Sequence, residues 1–354
     1  MSERTHFQKS RDRLNMKLVI TLLIFVSAIS ILLAIGIGPV SVPPKIVAAI
    51  LGDRIPILTA ILPKEWTELD AHIVMQLRLP RVLLGMIVGA SLSVTGVAMQ
   101  ALVRNPLADP FILGVSSGAS ATATLGMLFG VFHFFGRYSL AISAFLGAAI
   151  TIIIVYSISR VRGRINITQL LLTGVVTAMI MDAITKIITL HAPNALGLHN
   201  AAFWMSGSLA GAKWGYLQLP FIVMLVCIIV LMINYRSLNA LLFGEETAGT
   251  LGINVNRMQK LLILIASLLA GVTIAVSGAI GFVGLIAPHI TRLLIGSDHR
   301  RVLPVSAFLG GILVVWTDVV ARIIVAPEEL PIGLLTAIIG GPFFIWLLKR
   351  NTRF

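Results

Sequence analysis

Ionisable residues inside long apolar runs are the first candidates for chemistry in this sequence. Asp182 and Lys186 lie four residues apart, and Asp318 and Arg322 repeat that spacing. Side chains at i and i+4 share one helical face, so each pair could relay protons or bind coupling ions within a membrane. The opposite charges could equally neutralise each other. We favour this structural pairing for both pairs, although it competes with a surface role for Arg322.

The sequence offers little support for metal, redox or hydrolytic chemistry. His289 follows Pro288 at a break in the apolar pattern, and no second histidine stands at metal-ligand spacing, so we expect its ring to bond backbone carbonyls that the proline frees. Cys227 is the single cysteine. The sequence contains no H-E-x-x-H or G-x-x-x-x-G-K-[ST] pattern. We therefore assign no catalytic residue, no metal ligand and no cofactor to this chain.

The composition places these residues in a membrane protein. Hydrophobic residues make up 57% of the 354 residues and charged residues 12%, and the mean hydropathy is +0.98. Apolar runs of about 20 residues, enough to cross a bilayer as a helix, recur along the chain. The alternating pattern of a porin-type strand is not seen. The sequence predicts an all-α, polytopic helical bundle that forms one transmembrane domain over residues 1–354.

About ten spans can be placed by their apolar runs. The second span opens at Arg78-Leu79-Pro80-Arg81, where proline suits the first helical turn. The predicted spans lie near residues 18–37, 78–103, a Gly/Ser/Ala-rich stretch ending near 131, 139–159, 168–190, 215–233, 258–277, 280–295, 303–325 and 332–348.

The distribution of charge predicts the topology. The basic segment 1–17 resembles the start of a signal peptide, but the apolar run after it favours an uncleaved first helix and a cytoplasmic tail. With both termini cytoplasmic, about two thirds of the 27 Lys and Arg residues fall at inner ends, and the acidic, proline-rich segment 38–72 forms an outer loop. The net charge of +13 then reflects topology and predicts no nucleic-acid partner.

A broken segment near the carboxyl end suggests an internal repeat. Val276–Arg301 combines four glycines and a proline with a basic end. Gly278 precedes Pro288 by the interval that separates Gly96 from Pro106, with similar residues before each glycine. Spans 2–5 and 7–10 could thus form an inverted repeat in which Pro288 mirrors Pro106, or the agreement could be chance.

Many short motifs in one order resemble a known family. The sequence is similar to the FecCD or BtuC-like permeases of bacterial ABC importers for iron-siderophore, haem and cobalamin, and the resemblance runs from about Arg78 to the carboxyl end. The matching motifs are R-L-P-R (78–81), G-x-x-M-Q (96–100), R-N-P-L-A-D-P (104–110), L-G-V-S-S-G-A (113–119), G-A-I-G-F-V-G-L-I-A-P-H-I-T-R (278–292), G-S-D-H-R-R (296–301), L-P-V-S-A (303–307), D-x-x-A-R (318–322) and E-L-P-I-G-L-L-T-A-I-I-G-G-P-F-F (329–344).

This resemblance implies a BtuC-like fold and a set of partners. Two permease chains, identical or related, would form a pathway in the cell membrane. Two separate ATPase subunits would bind ATP and Mg, and an extracytoplasmic binding protein, either periplasmic or a lipoprotein, would deliver the cargo. An iron-siderophore-type chelate is the expected cargo, with haem or cobalamin as the alternatives. The rival from another class is an ion-coupled secondary transporter, in which Asp182, Lys186 and Asp318 would line a midplane site.

The inner connection 234–257 is the candidate for contact with the ATPase. Leu241, Leu242, Ala248 and Leu251 are spaced so that this polar segment could form short amphipathic helices. The resemblance implies that a G-E-x-x-A-x-x-L-G stretch makes coupling helices there, and the alternative is a solvated loop. The residues concerned are Gly244, Glu245, Glu246, Ala248, Leu251 and Gly252.

Two further sites are implied by the resemblance. Arg78, Arg81 and Arg322 would receive acidic residues of the binding protein at the outer side. The alternative is anchoring at the membrane interface or pairing within the chain. The partners considered for such pairing are Glu65, Glu68, Asp70 and Glu328. Asn166, Ile167 and Thr168 would narrow the pathway at its cytoplasmic end, although helix capping explains the same residues.

Overall fold

The structure is a computed structural model that describes residues 16–53, 66–161 and 163–351. Most of the predicted cytoplasmic tail and Glu65 lie outside these described residues. Inner and outer denote below the two ends of the bundle as the charge distribution predicts them.

Fourteen helices account for most of the described chain. They are α1 (Met16–Gly36), α2 (Pro44–Gly52), α3 (Glu68–Val103), α4 (Val115–Phe129), α5 (Ser139–Ser159), α6 (Ile167–Leu190), α7 (Ala195–Met205), α8 (Gln218–Ile233), α9 (Tyr235–Leu241), α10 (Glu245–Thr250), α11 (Val255–Ser277), α12 (Val283–Ile295), α13 (His299–Ile323) and α14 (Ile332–Asn351). A two-stranded hairpin pairs β1 (Arg160–Val161) with β2 (Arg164–Ile165).

Ten of these helices stand where the sequence predicts spans. Seven in the described part are long and apolar enough to cross a membrane. These are α1, α3, α5, α6, α8, α11 and α13, of which α5 and α8 are extended by preceding 3-10 turns. The helices α4, α12 and α14 occupy the other three predicted places, and α4 and α12 are only 15 and 13 residues long. The predicted all-α transmembrane bundle is confirmed.

The start of α3 differs from the prediction. The helix begins at Glu68, where Thr67 and Asp70 form a capping box, and not at Arg78. Pro80 therefore lies inside the helix, where it can donate no hydrogen bond. The chain accommodates it with a π-helical segment, Ile73–Arg78, in which the N–H of Leu79 donates to a carbonyl five residues back.

Two connections contain helices that the sequence prediction lacks. The outer segment 38–72 holds α2, whose residues Val47 and Ile50 are buried in one apolar cluster with residues of α1, α3 and α13. The connection between α6 and α8 holds α7, which begins after Asn194, whose side chain accepts a hydrogen bond from the N–H of Gly197 at 2.7 Å. Both connections therefore form folded structure at the outer end of the bundle.

The helices differ sharply in how much surface the chain itself covers. In α3, 89% of the most apolar stretch is buried within the chain, whereas in α6 the value is 17%. Most large side chains of α6, such as Val176, Met179 and Ile180, are exposed. The helix α3 is thus the centre of the bundle, and α6 presents an apolar surface that lipid or another protein must cover.

The contacts between helices repeat in the two halves of the chain. The helix α3 contacts α12 and α13, and α11 contacts the corresponding helices α4 and α5. The pairs α4–α5, α4–α6 and α5–α6 likewise correspond to α12–α13, α12–α14 and α13–α14. The short helices α4 and α12 both follow irregular backbone, and these two segments meet where Gly284 lies beside Pro110. This pattern supports the predicted inverted repeat.

The proposed equivalence of Pro106 and Pro288 is wrong. Pro106 lies in the connection after α3, whereas Pro288 lies inside α12. Gly96 is in the middle of α3, whereas Gly278 ends α11 with a φ of 65°. The similar intervals in the sequence therefore join positions that differ in structure.

The connections sort to two ends of the bundle. Inner connections are joined by Arg104–Glu245, Asn239–Asp298 and Asn256–Gly163. Outer connections are joined by Arg81–Glu329, Tyr216–Arg137 and Gly207–Ala279. The ten helices at the predicted span positions therefore alternate in direction as predicted, and the assignment of one end to the cytoplasm stays a prediction.

Candidate functional site

The inner segment between α8 and α11 forms two short helices, as the spacing of its apolar residues predicts. Leu241 of α9 and Ala248 of α10 are buried against the bundle. Leu242, Phe243 and Leu251 point the other way, and Phe243 and Leu251 are 74% and 65% exposed. The segment thus presents large apolar side chains at the inner end of the bundle, outside the spanning helices. Such a surface is typical of a protein interface.

Glycine permits the sharp turn between these helices. Gly244 has a φ of 107° and Gly252, after α10, has a φ of 82°. Other residues rarely adopt these angles, because a Cβ atom would clash with the backbone. These two predicted positions therefore set the direction in which Phe243 and Leu251 are presented.

Glu245 joins α10 to two spanning helices. Its carboxylate lies 3.1 Å from the guanidinium of Arg104, at the end of α3, and accepts a hydrogen bond of 3.3 Å from Gln259 of α11. Arg104 and Glu245 are each 41% exposed, so the pair itself contributes little stability. On α9, the hydrogen bond that Arg236 donates to the hydroxyl of Tyr235 raises the pKa of the arginine, which remains a cation at the surface.

A buried cluster of charges lies at the outer end, where α3 and α13 meet. Arg81 donates to Asp318 at 2.8 Å and to Glu329 at 2.9 Å. The carboxylate of Asp318 also lies 3.1 Å from Nε of Arg322, so the predicted i,i+4 pair is confirmed, and the same Nε donates a hydrogen bond to the backbone carbonyl of Asp318 at 3.3 Å. The Asp318 carboxylate therefore neutralises part of the charge of both Arg81 and Arg322. The second carboxylate of the cluster, Glu329, comes from the connection before α14.

The remaining donors of these arginines bind backbone carbonyls around the end of α1. Arg78 donates to Ile35 at 2.8 Å and also to Gly36 and Val40. Arg322 donates to Ala34 and Ile37, both at 3.1 Å. Arg78 and Arg322 are thereby held in the bundle and also satisfy carbonyl groups that the helix end leaves free.

The structure revises the expected surroundings of these arginines. All three are buried. Arg81 pairs with Asp318 and Glu329, and Arg322 pairs with Asp318, whereas the hydrogen bonds of Arg78 go to backbone carbonyls. The pairing considered with Glu68, Asp70 or Glu328 is wrong. Direct contact with a binding protein stays a prediction, and an incoming carboxylate would have to compete with Glu329, whose side chain is 28% exposed.

The predicted gate residues lie at the inner start of α6. The side chain of Asn166 accepts a hydrogen bond from the N–H of Gln169 at 3.0 Å, so it caps the helix as the alternative reading predicts. Ile167 is half-buried and Thr168 is exposed. The cap explains Asn166 locally, and the role of these three residues in a gate stays a prediction.

The residues of the rival ion-coupled site are not brought together. Asp182 and Lys186 are exposed on α6 and, in the part of the chain that the structure describes, form no ion pair with each other, so their predicted pairing is wrong. Asp182 lines an open cavity of about 500 Å³ together with Asp109 and Phe282. Asp318 lies instead in the outer cluster with Arg81.

His289 takes a position within α12 beside the last helix. Its ring stands nearly perpendicular to that of Phe343 in α14, with the ring centroids 6.0 Å apart. Aromatic pairs favour this edge-to-face geometry. The histidine thus contributes to the packing between α12 and α14.

Three residues with notable positions in the structure lie outside the sites that the sequence predicts. Phe243 precedes the glycine at which the predicted coupling stretch begins, although its apolar character in a polar segment was a usable signal. Glu329 and Trp214 lie in outer connections, and their contacts depend on distant parts of the chain. The indole of Trp214 donates at 2.9 Å to the carbonyl of Met75, in the π-helical segment before Pro80.

Comparison with known proteins identifies similar chains. Residues 23–350 match the FecCD transport family. A hemin transport system permease of Yersinia pestis is 41% identical, covering 79% of this chain and 84% of the relative. An Fe(3+)-citrate import permease of Bacillus subtilis is 38% identical over 97% of both chains. A solved structure described as an inward-facing, metal-chelate type ABC transporter has a TM-score of 0.80 and 30% identity, over 94% of this chain and 99% of that one.

Proposed function

The chain belongs to the FecCD transport family and is a permease subunit of an ABC importer, and we propose that it translocates an iron-siderophore-type chelate. The chain is a transport subunit and not an enzyme, and ATP is hydrolysed by a separate subunit. A relative named for Fe(3+)-citrate spans 97% of this chain, which supports an iron chelate as the cargo. Haem, for which another relative is named, and cobalamin are the alternatives within the family.

The proposed assembly contains two permease chains, two ATPase subunits that bind ATP and Mg, and an extracytoplasmic binding protein. It lies in the cell membrane with both permease termini in the cytoplasm. The α6 helix exposes many large apolar side chains. A second permease chain, identical or related, could pack against this surface, and lipid would cover the part that remains. Asn166, Ile167 and Thr168 stay the proposed cytoplasmic gate.

The observation that carries this proposal is the surface formed by α9 and α10. Their buried side fixes the segment to the bundle, and their exposed side presents Phe243 and Leu251 where an ATPase would bind. We assign the coupling role to Gly244, Glu245, Glu246, Ala248, Leu251 and Gly252, with Phe243 added. An ion-coupled transporter would need no such surface, and Asp318 does not lie with Asp182 as its site requires.

Transport by the reconstituted complex tests the proposal. The permease, its ATPase and its binding protein are placed in lipid vesicles, and uptake of ferric siderophore, haem and cobalamin is compared. We expect ATP-dependent uptake of the ferric chelate only when all components are present. Uptake that persists without the ATPase subunit, driven by an ion gradient, would reject the importer mechanism. Preferential uptake of haem or cobalamin would reject the proposed cargo.

The exposed apolar residues of the coupling surface should be required for ATPase binding. Replacing both Phe243 and Leu251 with aspartate puts charge into the proposed apolar contact, and we expect association to weaken by more than about tenfold, since central apolar anchors dominate interfaces. The measurement is co-purification of the ATPase with the permease, followed by a binding titration. The matched control is Leu69→Asp, an equally exposed leucine at the outer end of α3. Equal ATPase binding by both variants would contradict the coupling assignment.

The proposed docking role of Arg81 can be tested while its buried pair with Asp318 is kept. Glu329→Gln removes the more exposed of its two carboxylate partners and leaves Asp318 in place. If Arg81 receives a carboxylate of the binding protein, the variant should bind that protein faster, with a stronger dependence on salt.

Glu328→Gln is the matched control, because Glu328 is the exposed neighbour and no ion pair with Arg81 is found for it. The association rate of the binding protein is measured at several salt concentrations. The docking assignment fails if Glu329→Gln binds no faster than Glu328→Gln.

A further inference from the structure

Asn239 connects the α9 helix to the start of the spanning helix α13. Its side-chain amide donates to the carboxylate of Asp298 at 2.7 Å. Its side-chain oxygen accepts from the N–H of His299 at 2.9 Å and lies 2.7 Å from Nδ1 of the same residue. A single side chain of the proposed coupling segment thus makes three polar contacts with two consecutive residues of another element.

The chemistry of these partners fixes how the contacts are oriented. A carboxylate only accepts hydrogen bonds, so the NH₂ group of Asn239 faces Asp298 and its oxygen faces His299. The ring of His299 therefore carries its proton on Nδ1 and donates it. His299 is completely buried, and its Nε2 atom finds no hydrogen-bond partner in the described chain. The Asn239 contact is therefore the ring's one polar anchor.

The Asp298 side chain also defines the first turn of α13. It accepts a hydrogen bond from the N–H of Arg300 at 3.0 Å, and the backbone carbonyl of Asp298 accepts from the N–H groups of Arg301 and Val302. Asp298 is thus the N-cap of α13 and the partner of Asn239 at once. A movement of Asn239 would pull on the cap that sets the direction of this helix.

The helix α13 runs from this contact to the outer charge cluster. It is continuous from His299 to Ile323, and Asp318 lies 19 residues from its start, or about 29 Å at 1.5 Å per residue. Gly310 of α13 meets Gly89 of α3 so closely that a Cβ on Gly89 would lie 2.1 Å from its carbonyl oxygen. Such close backbone packing holds α13 against α3 beyond Pro304, the proline that lies in the second turn of α13.

The polar links that Glu245 makes from the coupling segment are weaker, since the hydrogen bond it accepts from Gln259 is 3.3 Å long. The Arg104–Glu245 pair is substantially exposed and screened by solvent. The Asn239 contact joins a completely buried residue and a helix cap. The helix α13 and a buried hydrogen-bonded link at its base form a physical path between the two ends of the molecule.

We propose that Asn239 is a positioning residue that transmits movement of the coupling segment, through the Asp298 cap and the helix α13, to the Arg81–Asp318–Arg322 cluster. This inference rests on the proposed coupling role of α9 and α10. It adds a specific side chain, a specific helix and a destination for the movement. The nucleotide state of the ATPase at the inner end would thereby change the outer surface to which the binding protein binds.

A cysteine at position 328 reports on the outer end of this path. Glu328 is exposed beside the cluster, and the native Cys227 is buried, so labelling of a Glu328→Cys protein is selective. The rate of thiol labelling is measured in the complete complex, without nucleotide and with ATP under non-hydrolysing conditions. In the otherwise native protein, we expect the two rates to differ.

Asn239→Ala should remove most of this difference between the two labelling rates. We expect the ratio of the rates to fall by at least about fivefold, which is the lower range of allosteric coupling. ATPase association and basal hydrolysis should persist, because Phe243 and Leu251 are unchanged. Asn234→Ala is the matched control, since in the described part of the chain the Asn234 side chain bonds only to the carbonyl of Val230, at 2.8 Å in the preceding helical turn. Its response to ATP should equal that of the native protein.

A charge exchange separates this role from general damage. Asn239→Asp places two carboxylates together and should lose the response. Adding Asp298→Asn restores one donor between the two side chains, keeps a good helix cap, and should restore the response. A structural defect alone would not be repaired by the second change.

The outcomes are distinguishable. The proposal is overturned if Asn239→Ala retains the full ATP-dependent difference, if it loses ATPase association, or if the exchange fails to restore the response. A native complex whose labelling does not respond to ATP, or that transports without an ATPase, would instead overturn the proposed function on which the inference rests.

Discussion

Replacing Asp318 with alanine is expected to destabilise the protein by about 3–5 kcal/mol, because it leaves buried arginines without a shared carboxylate. Asp318 lies 2.8 Å from Arg81 and 3.1 Å from Arg322, and all three residues are buried. Removing one partner of a buried ion pair costs far more than the pair itself contributes, since the remaining charge stays out of water. The effect should far exceed that of any single exposed charge.

The free energy of unfolding in detergent measures this effect, together with the yield of monodisperse protein. Asp318→Asn keeps hydrogen-bond acceptance without the charge and should fall between the native protein and Asp318→Ala. Glu328→Ala, ten residues away and exposed, serves as the control and should stay close to native. If Asp318→Ala unfolds no more easily than Glu328→Ala, the cluster does not stabilise the fold as argued.

The helical architecture could be predicted from the sequence because the membrane imposes a local rule. A span must satisfy its own backbone and be about 20 apolar residues long, so each span can be recognised without its neighbours. A different local rule, about proline, misplaced the start of α3. Proline at the beginning of an apolar run usually marks a first turn, whereas here a π-helical segment lets the helix pass through Pro80.

The candidate sites were predictable only where their signal is local. The spacing of Leu241, Leu242, Ala248 and Leu251 predicted the helices of the coupling segment. The partner of Arg81, by contrast, is 237 residues away, and nothing around either residue indicates the other. Asn239 was missed for the same reason, since its partners follow 59 and 60 residues later.

The spacing of opposite charges along the sequence predicted ion pairs correctly in one case and wrongly in another. Asp182 and Lys186 share a helical spacing, but both remain exposed on α6 and do not meet. Asp318 and Arg322 have the same spacing and do pair, because the closely packed α3 brings Arg81 against them and excludes water. Tertiary burial, which the sequence does not display, decides between the two outcomes.

Gly96→Ala is expected to separate the central helix α3 from α12 and to abolish most transport. A Cβ atom at position 96 would lie 1.9 Å from the carbonyl oxygen of Gly284 and 2.7 Å from its Cα. Both are backbone atoms, so no side chain can rotate away, and overpacking of this kind costs about 1–3 kcal/mol or more. The nearby hydrogen bond of 3.3 Å from Gln100 to the same carbonyl would be strained as well.

Gly341→Ala in α14 is the matched control, because a Cβ atom there meets nothing within 4 Å. It should be neutral or slightly stabilising, since alanine restricts the unfolded chain and favours a helix. The free energy of unfolding and ATP-driven uptake are measured for both variants. Because Gly96 and Gly284 belong to opposite halves of the repeat, a loss confined to Gly96→Ala would mean that close approach of the halves at this point is required for transport. Equal behaviour of the two variants would show that the bundle tolerates separation there.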